Sequence, residues 1–185
     1  MKKIKTIFER DLSMKITTKQ VVDLTDAIPT EKVDGTNIRI TVRNHTLVRI
    51  EKRRNPSKLE KAKGIITPWY EDADEYAPND KYMVEAARCL DISDIEDGEF
   101  SGEAYGEKIQ GNPLKIEGHR VFLFSHVETL KKHQLNGIST GYEILKRDLS
   151  DIKSTFNPEV GIEGIVFWRN GEPIGKIKVK DFRNI

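Results

Sequence analysis

The chain has one cysteine, Cys89, among its 185 residues. A single thiol closes no intrachain disulfide and builds no cysteine zinc site, which suits a reducing compartment. No apolar run approaches the length of a membrane span. The N-terminal stretch MKKIKTIFERDL is basic but lacks the apolar segment of a signal peptide. The expectation is a cytoplasmic protein with no membrane partner. The four histidines, His45, His119, His126 and His133, are scattered without metal-ligand spacing. Net charge is only +1, so the chain is not a global polycation, and any basic site must be local. There is no repeat, no low-complexity segment and no linker. What remains is a polar, folded composition, 37% hydrophobic and 33% charged, too apolar for a disordered chain and long enough for a core.

Several runs alternate with period two: Ile38 to Val42, Leu47 to Ile50, Val121 to Phe124, Ile165 to Phe167 and Ile174 to Val179. They read as strands. Asn44-His45 between the first two reads as a hairpin turn. Asp80 to Leu90 places Tyr82, Met83, Ala86, Ala87 and Leu90 at helical spacing. Leu130 to Leu149 reads as helical in its second half, interrupted at Gly137. Strands dominate the N-terminal third and the last quarter, with helices between. That pattern predicts an α+β fold of antiparallel sheets flanked by helices.

Four segments carry candidate chemistry. Lys32-Val33-Asp34-Gly35-Thr36-Asn37 puts a lysine beside an Asp-Gly turn at a strand entrance. In a strand, Lys32 and Asp34 would share a face. Lysine is a nucleophile when its surroundings favour the neutral amine; alone, the segment reads equally as a solvated hairpin lysine. Glu99 to Gly106 brackets Glu103 and Tyr105 with glycines. A fixed carboxylate there can accept from ribose hydroxyls, while a plain glycine-rich loop explains the segment as well. Glu163 directly precedes Gly164 and an apolar strand, a position for a magnesium ligand or for an ordinary strand-edge acid. Lys176, Lys178 and Lys180 alternate, so a strand would set all three on one face. Three adjacent cations call for an anion such as a triphosphate, unless they only protect a sheet edge.

In their order, Lys-x-Asp-Gly, Gly-Glu-x-x-Gly, Glu-Gly-apolar-apolar and Lys-x-Lys, these segments resemble the covalent nucleotidyltransferase superfamily of DNA ligases, RNA ligases and mRNA capping enzymes. The resemblance spans roughly residues 30–182. It implies one nucleotidyltransferase (adenylation) domain of the DNA/RNA ligase type over residues 1–185, with no appended OB-fold or C-terminal domain. It implies that Lys32 attacks the α-phosphate of ATP, with Glu163, Lys176 and Lys178 as the other catalytic residues. Glu163 is the implied ligand of Mg2+ or Mn2+. Glu31, Asp34, Gly35, Asn37, Arg54, Glu103 and Phe122 are the implied nucleotide-binding residues, with Arg53 the rival of Arg54 and Phe124 the rival of Phe122. Thr36-Asn37 after Asp-Gly is similar to the second family of phage-type RNA ligases, where Lys-x-(His/Asp)-Gly-Thr-Asn is usual.

The resemblance therefore implies an ATP-dependent RNA ligase, or its adenylyltransferase domain, acting in RNA repair on RNA ends or nicks. A partner protein recruiting the nucleic acid fits the small net charge. The alternatives are a small ATP-dependent DNA ligase and a non-catalytic nucleotide- or nucleic-acid-binding module. One departure stands out: Phe124-Ser125-His126 lacks the aspartate that many relatives carry after the stacking aromatic.

Overall fold

Asn44 and His45 both take left-handed backbone conformations, φ 47° and 53°, in the computed structural model, which describes residues 4–183. A two-residue loop with both residues left-handed matches the twist of the strands it joins, and here it pairs Arg43 with Thr46. The expected hairpin is present.

In chain order the strands are β1 (Phe8–Arg10), β2 (Ile16–Gln20), β3 (Ile28–Glu31), β4 (Thr36–Arg43), β5 (Thr46–Arg54), β6 (Trp69–Asp72), β7 (Gly98–Gly106), β8 (His119–Phe122), β9 (Gly164–Arg169) and β10 (Glu172–Lys178). The helices are α1 (Lys58–Ala62), α2 (Lys81–Arg88), α3 (Val127–Lys132) and α4 (Tyr142–Asp148). Short 3-10 turns follow α4 and β10, at Leu149–Asp151 and Val179–Phe182. All pairings between these strands are antiparallel, as an α+β fold of this kind requires. No described helix is long and apolar enough to cross a membrane.

The chain forms two compact units. One is residues 34–125; the other is residues 4–33 with residues 126–183. The first holds a five-stranded sheet in the order β6-β5-β4-β7-β8. Alternation in β4 sends Ile38, Ile40 and Val42, all fully buried, to one face and Asn37, Arg39 and Thr41 to the other. Helix α2 covers the apolar face through Met83, Ala86 and Ala87, the positions its spacing predicts. Each isoleucine so buried contributes about 1.5–3 kcal/mol. The opposite face is therefore free to carry polar groups.

The second unit holds a three-stranded sheet in the order β10-β9-β3 and the ribbon β1-β2. Its core gathers Ile7, Phe8, Leu145, Leu149, Ile165, Phe167 and Ile177. Strand β9 is central and buried from Gly164 to Trp168, which explains its unbroken apolar run. Pro29 sits in β3, an edge strand, where a missing N–H costs no ladder bond.

Several expectations change. The glycine-rich segment 99–106 lies in strand β7, not in a loop. Its glycines serve packing: a Cβ on Gly102 would lie 2.7 Å from the Phe122 carbonyl oxygen. Strand β8 ends at Phe122, so Leu123 and Phe124 lie past it. The segment 130–149 holds the end of α3 as well as α4, separated by Gly137 at φ 70°. Lys180 sits in a 3-10 turn, which leaves only Lys176 and Lys178 on a common strand face. Segment 32–35 lies between β3 and β4, outside any strand, so period-two alternation does not govern Lys32 and Asp34.

A left-handed non-glycine residue costs about 1–2 kcal/mol, and glycine gives back about 0.5–1 kcal/mol in unfolded-chain entropy. His45→Gly should therefore stabilise the hairpin unit by about 0.5 kcal/mol. A raised urea midpoint with unchanged slope would show it, and a lowered midpoint would contradict it.

Candidate functional site

Strands β3, β9 and β10 bring three predicted residues to one end of their sheet. Lys32 directly follows β3, and its N–H donates to the Gly164 carbonyl at 2.8 Å. Gly164 opens β9 and lies opposite Lys178 at the end of β10. The approach is close: a Cβ on Gly164 would sit 2.1 Å from the Ile177 carbonyl oxygen. The glycine after Glu163 is thus required for space.

Glu163 stands between the two lysines. Lys32 Nζ donates to Glu163 Oε2 at 2.6 Å, and Lys178 Nζ donates to Oε1. The three side chains are 20%, 26% and 18% exposed for Lys32, Glu163 and Lys178. Burial disfavours the Glu163 carboxylate, but the hydrogen bonds from Lys178 and Lys32 outweigh it and hold the carboxyl below its ordinary range. Lys176 shares the β10 face with Lys178. Its backbone is bonded on the outer side to Lys5 and Ile7, at 2.9 Å each, so at Lys176 the strand edge is already covered. Protection of an open edge does not explain this lysine. Two ammonium groups on one carboxylate leave net positive charge, a place for an anion.

Glu31 has a different setting from the nucleotide-binding one expected. It is buried, and its Oε2 accepts from Ser154 Oγ (2.8 Å) and Thr155 N (2.9 Å). Its Oε1 is buried without a hydrogen-bond partner among the described residues. Burial raises its carboxyl against the opposing Ser154 and Thr155 bonds. Ser154 and Thr155 carried no signal in the sequence.

The five-stranded sheet presents the second set. Asn37 lies opposite Glu103, and Glu103 opposite Phe122. Arg53 lies opposite Tyr70, and the β4–β5 register brings Asn37 level with Arg53. Directly opposed residues share a face. Tyr70, Arg53, Asn37, Glu103 and Phe122 therefore form one row across the polar face. Tyr70 Oη donates to Asn37 Oδ1 at 2.8 Å and stands 3.2 Å from Ser101 Oγ. Asn37 Nδ2 points to Glu103 Oε2 at 3.4 Å. The Arg39 guanidinium lies 4.6 Å from the Tyr70 ring centre and forks onto buried Glu51 at 2.7 and 2.8 Å. Tyr70 and Ser101 were not among the predicted residues, because nothing marks their strand parity without the pairing.

This register separates the two arginines. Arg53 is in the row, with its Nε buried and without a hydrogen-bond partner among the described residues. Arg54, the first choice from sequence, turns to the other face. There it pairs with Glu60 (3.5 Å) and Glu71 (3.6 Å) and lies over Trp69. Phe122 is in the row, whereas Phe124 is outside β8. Asp34 is exposed. Gly35 is a packing glycine, since its Cβ would meet the Ala104 carbonyl oxygen at 2.1 Å.

The described residues include no group of three or more His, Cys, Asp or Glu able to hold a metal. Glu163 has both oxygens engaged by lysines. The protein groups alone do not form a cation cage; magnesium and manganese sites of this chemistry use one or two carboxylates plus substrate phosphates.

A depressed carboxyl contributes stability above its unfolded value, and that contribution is lost as pH falls through the folded value. Glu163→Gln should lower the urea midpoint at neutral pH, leaving Lys32 and Lys178 without their shared anion. The gap to the parent should close as pH drops below the ordinary glutamate value of 4.5. A gap that persists unchanged in acid would contradict the ion-pair account.

No family model matches the chain, and no curated protein matches it. Solved structures do. The Naegleria gruberi RNA ligase with PPi superposes with a TM-score of 0.54 at 20% identity, over 85% of this chain and 50% of that one. A K326A mutant of the same ligase with ATP and Mn gives 0.53 at 19% identity, over the same shares. The chain spans about half the length of the ligase it matches. At this identity the likeness is one of fold, shared with about half of the Naegleria gruberi RNA ligase.

Proposed function

We propose that the chain is an ATP-dependent RNA ligase, or its adenylyltransferase domain, working through a covalent lysyl-AMP. The observation that carries this reading is Glu163 bridging Lys32 and Lys178 at the mouth of β9. It is supported by the ordered motifs of the sequence and by the fold. The Naegleria gruberi ligase was solved with ATP and Mn, which favours the same cofactor class here.

On this reading Lys32 acts as the free amine, having released one ammonium proton to solvent. Its lone pair attacks the α-phosphorus. The N–P bond forms as the bond to the bridging α–β oxygen breaks, and pyrophosphate leaves with that electron pair. The phosphoramidate nitrogen then sheds its remaining excess proton. Glu163 orients Nζ, because an ammonium or amine held by a fixed carboxylate has few other directions to take. Lys178 and Lys176 offset phosphate charge, the largest requirement of phosphoryl transfer. A divalent ion arriving with the triphosphate would add to that neutralisation, with Glu163 the one residue of the cluster able to reach it.

The other unit carries on its five-stranded sheet the residues that the motifs assign to nucleotide recognition. Glu103 offers an acceptor for ribose hydroxyls and Arg53 the row's guanidinium, while Phe122, the ring the motifs assign to base stacking, is buried and would have to be uncovered to meet a base. Asn37, fixed by Tyr70, acts toward the acceptor end. AMP would then pass to a 5′-phosphate, and a 3′-hydroxyl would displace it to form the phosphodiester. Thr36-Asn37 favours RNA; a DNA ligase remains the rival within the same chemistry.

The test is incubation with ATP labelled on the α-phosphate, followed by denaturation. Label should stay on the protein and vanish in Lys32→Ala. Arg53→Ala should slow labelling or sealing by about a hundredfold, the usual scale for removing one charge-stabilising donor, while Arg54→Ala should stay within a few-fold of the parent. Absence of label from ATP would leave a binding module as the better account. Sealing of nicked DNA but not of nicked RNA would select the DNA ligase.

A further inference from the structure

Strand β5 does not turn directly into β6. Residues 55–68 leave the sheet between them. Within residues 52–63 the sequence places six Lys or Arg and a single acid, in a chain whose net charge is +1, so the rest of the chain is net negative. Three of the six, Lys58, Lys61 and Lys63, lie on the excursion itself, while Lys52, Arg53 and Arg54 end β5.

This excursion is not part of a core. Helix α1 has no buried residue, and every residue from 57 to 67 except Glu60 is exposed. Local bonds hold its shape. Glu60 N donates to Ser57 Oγ at 3.2 Å, and Ser57 N donates to the Glu60 carboxylate at 2.7 Å, a reciprocal cap. Pro56 is buried and anchors its entry. The basic residues divide by role. Lys52 pairs with Asp80, and Arg54 with Glu60 and Glu71. Lys58, Lys61 and Lys63 are in no ion pair among the described residues. Lys58 and Lys61 stand three apart on one helix face, where like charges repel. Three solvated ammonium groups on a coreless excursion have the charge to attract a phosphate backbone. The strands at its two ends also carry Arg53 and Tyr70 into the row on the polar face.

We propose that residues 55–66 form the docking surface for the phosphodiester backbone of a single-stranded nucleic acid, held by Lys58, Lys61 and Lys63. The inference rests on the ligase reading for its substrate class, and it adds which surface engages the strand. Contacts of this kind position without reading bases, so the surface is indifferent to sequence. Affinity then falls steeply with salt.

The experiment measures binding of a fluorescein-labelled single-stranded RNA with a 5′-phosphate, across a salt series, beside labelling of the protein by ATP. The variant is Lys58→Gln, Lys61→Gln and Lys63→Gln together. A control variant replaces three exposed lysines elsewhere, Lys15, Lys146 and Lys153, by glutamine. The first variant should bind roughly tenfold more weakly. Its log–log salt slope should be smaller by about 2, near 0.7 for each lost phosphate contact. Lysyl-AMP formation should be unchanged. Equal loss in both variants, or no loss in either, would overturn the surface. So would unchanged RNA binding accompanied by lost binding to phosphatidylserine vesicles, which would assign the patch to a membrane. If the parent binds RNA through these lysines yet takes no label from ATP, the surface stands and the ligase reading falls.

Discussion

One carboxylate organises one end of the three-stranded sheet. Glu163 accepts from Lys32 and from Lys178, so two side chains that would repel each other share a single anion. The arrangement depends on backbone proximity. Gly164 lets β9 and β10 approach so closely that any side chain there would collide with the Ile177 carbonyl. The Lys32 N–H then closes onto Gly164. Main-chain pairing thus brings Lys32, Glu163 and Lys178 to one place, and their side-chain bonds then join them.

The five-stranded sheet solves a different problem with the same period. Its apolar face is filled by α2, and alternation frees the other face for polar groups. Burying Glu51 would be costly without Arg39, whose fork satisfies both oxygens. Arg39 in turn lies over Tyr70, and Tyr70 fixes the amide of Asn37. The order of these contacts runs from the interior outward to the residues proposed to meet nucleotide. Polar groups tied in this way are pre-organised, and little ordering remains to be done on binding.

Charge is distributed unevenly as well. The small net value hides a basic excursion between β5 and β6 that contributes nothing to either core. A reciprocal cap, buried Pro56 and the Arg54–Glu60 pair hold it, and its mutually repelling lysines make a polyanion the occupant proposed for it. The same logic separates Lys176 from an ordinary edge lysine, since the strand beside it is already hydrogen-bonded outward.

The sequence by itself determined five apolar strand runs (one of which, in β9, is buried on both faces and does not alternate), the Asn44-His45 turn, the α2 stripe and the order of the four motifs. Each is local, a matter of spacing and of backbone preference within a few residues. It missed β1, β2, β3 and β6, which are short, and it left β7 open to reading as a loop because glycines there serve packing across strands that are distant in sequence. Tertiary structure alone decided which of Arg53 and Arg54 faces the row, that Phe122 and not Phe124 lies opposite Glu103, that Lys180 leaves the lysine face, and that Glu31 is spent on Ser154 and Thr155. The physical reason is register. A shift of one residue reverses every side chain in a strand, and register is fixed by pairing partners that the local sequence does not contain.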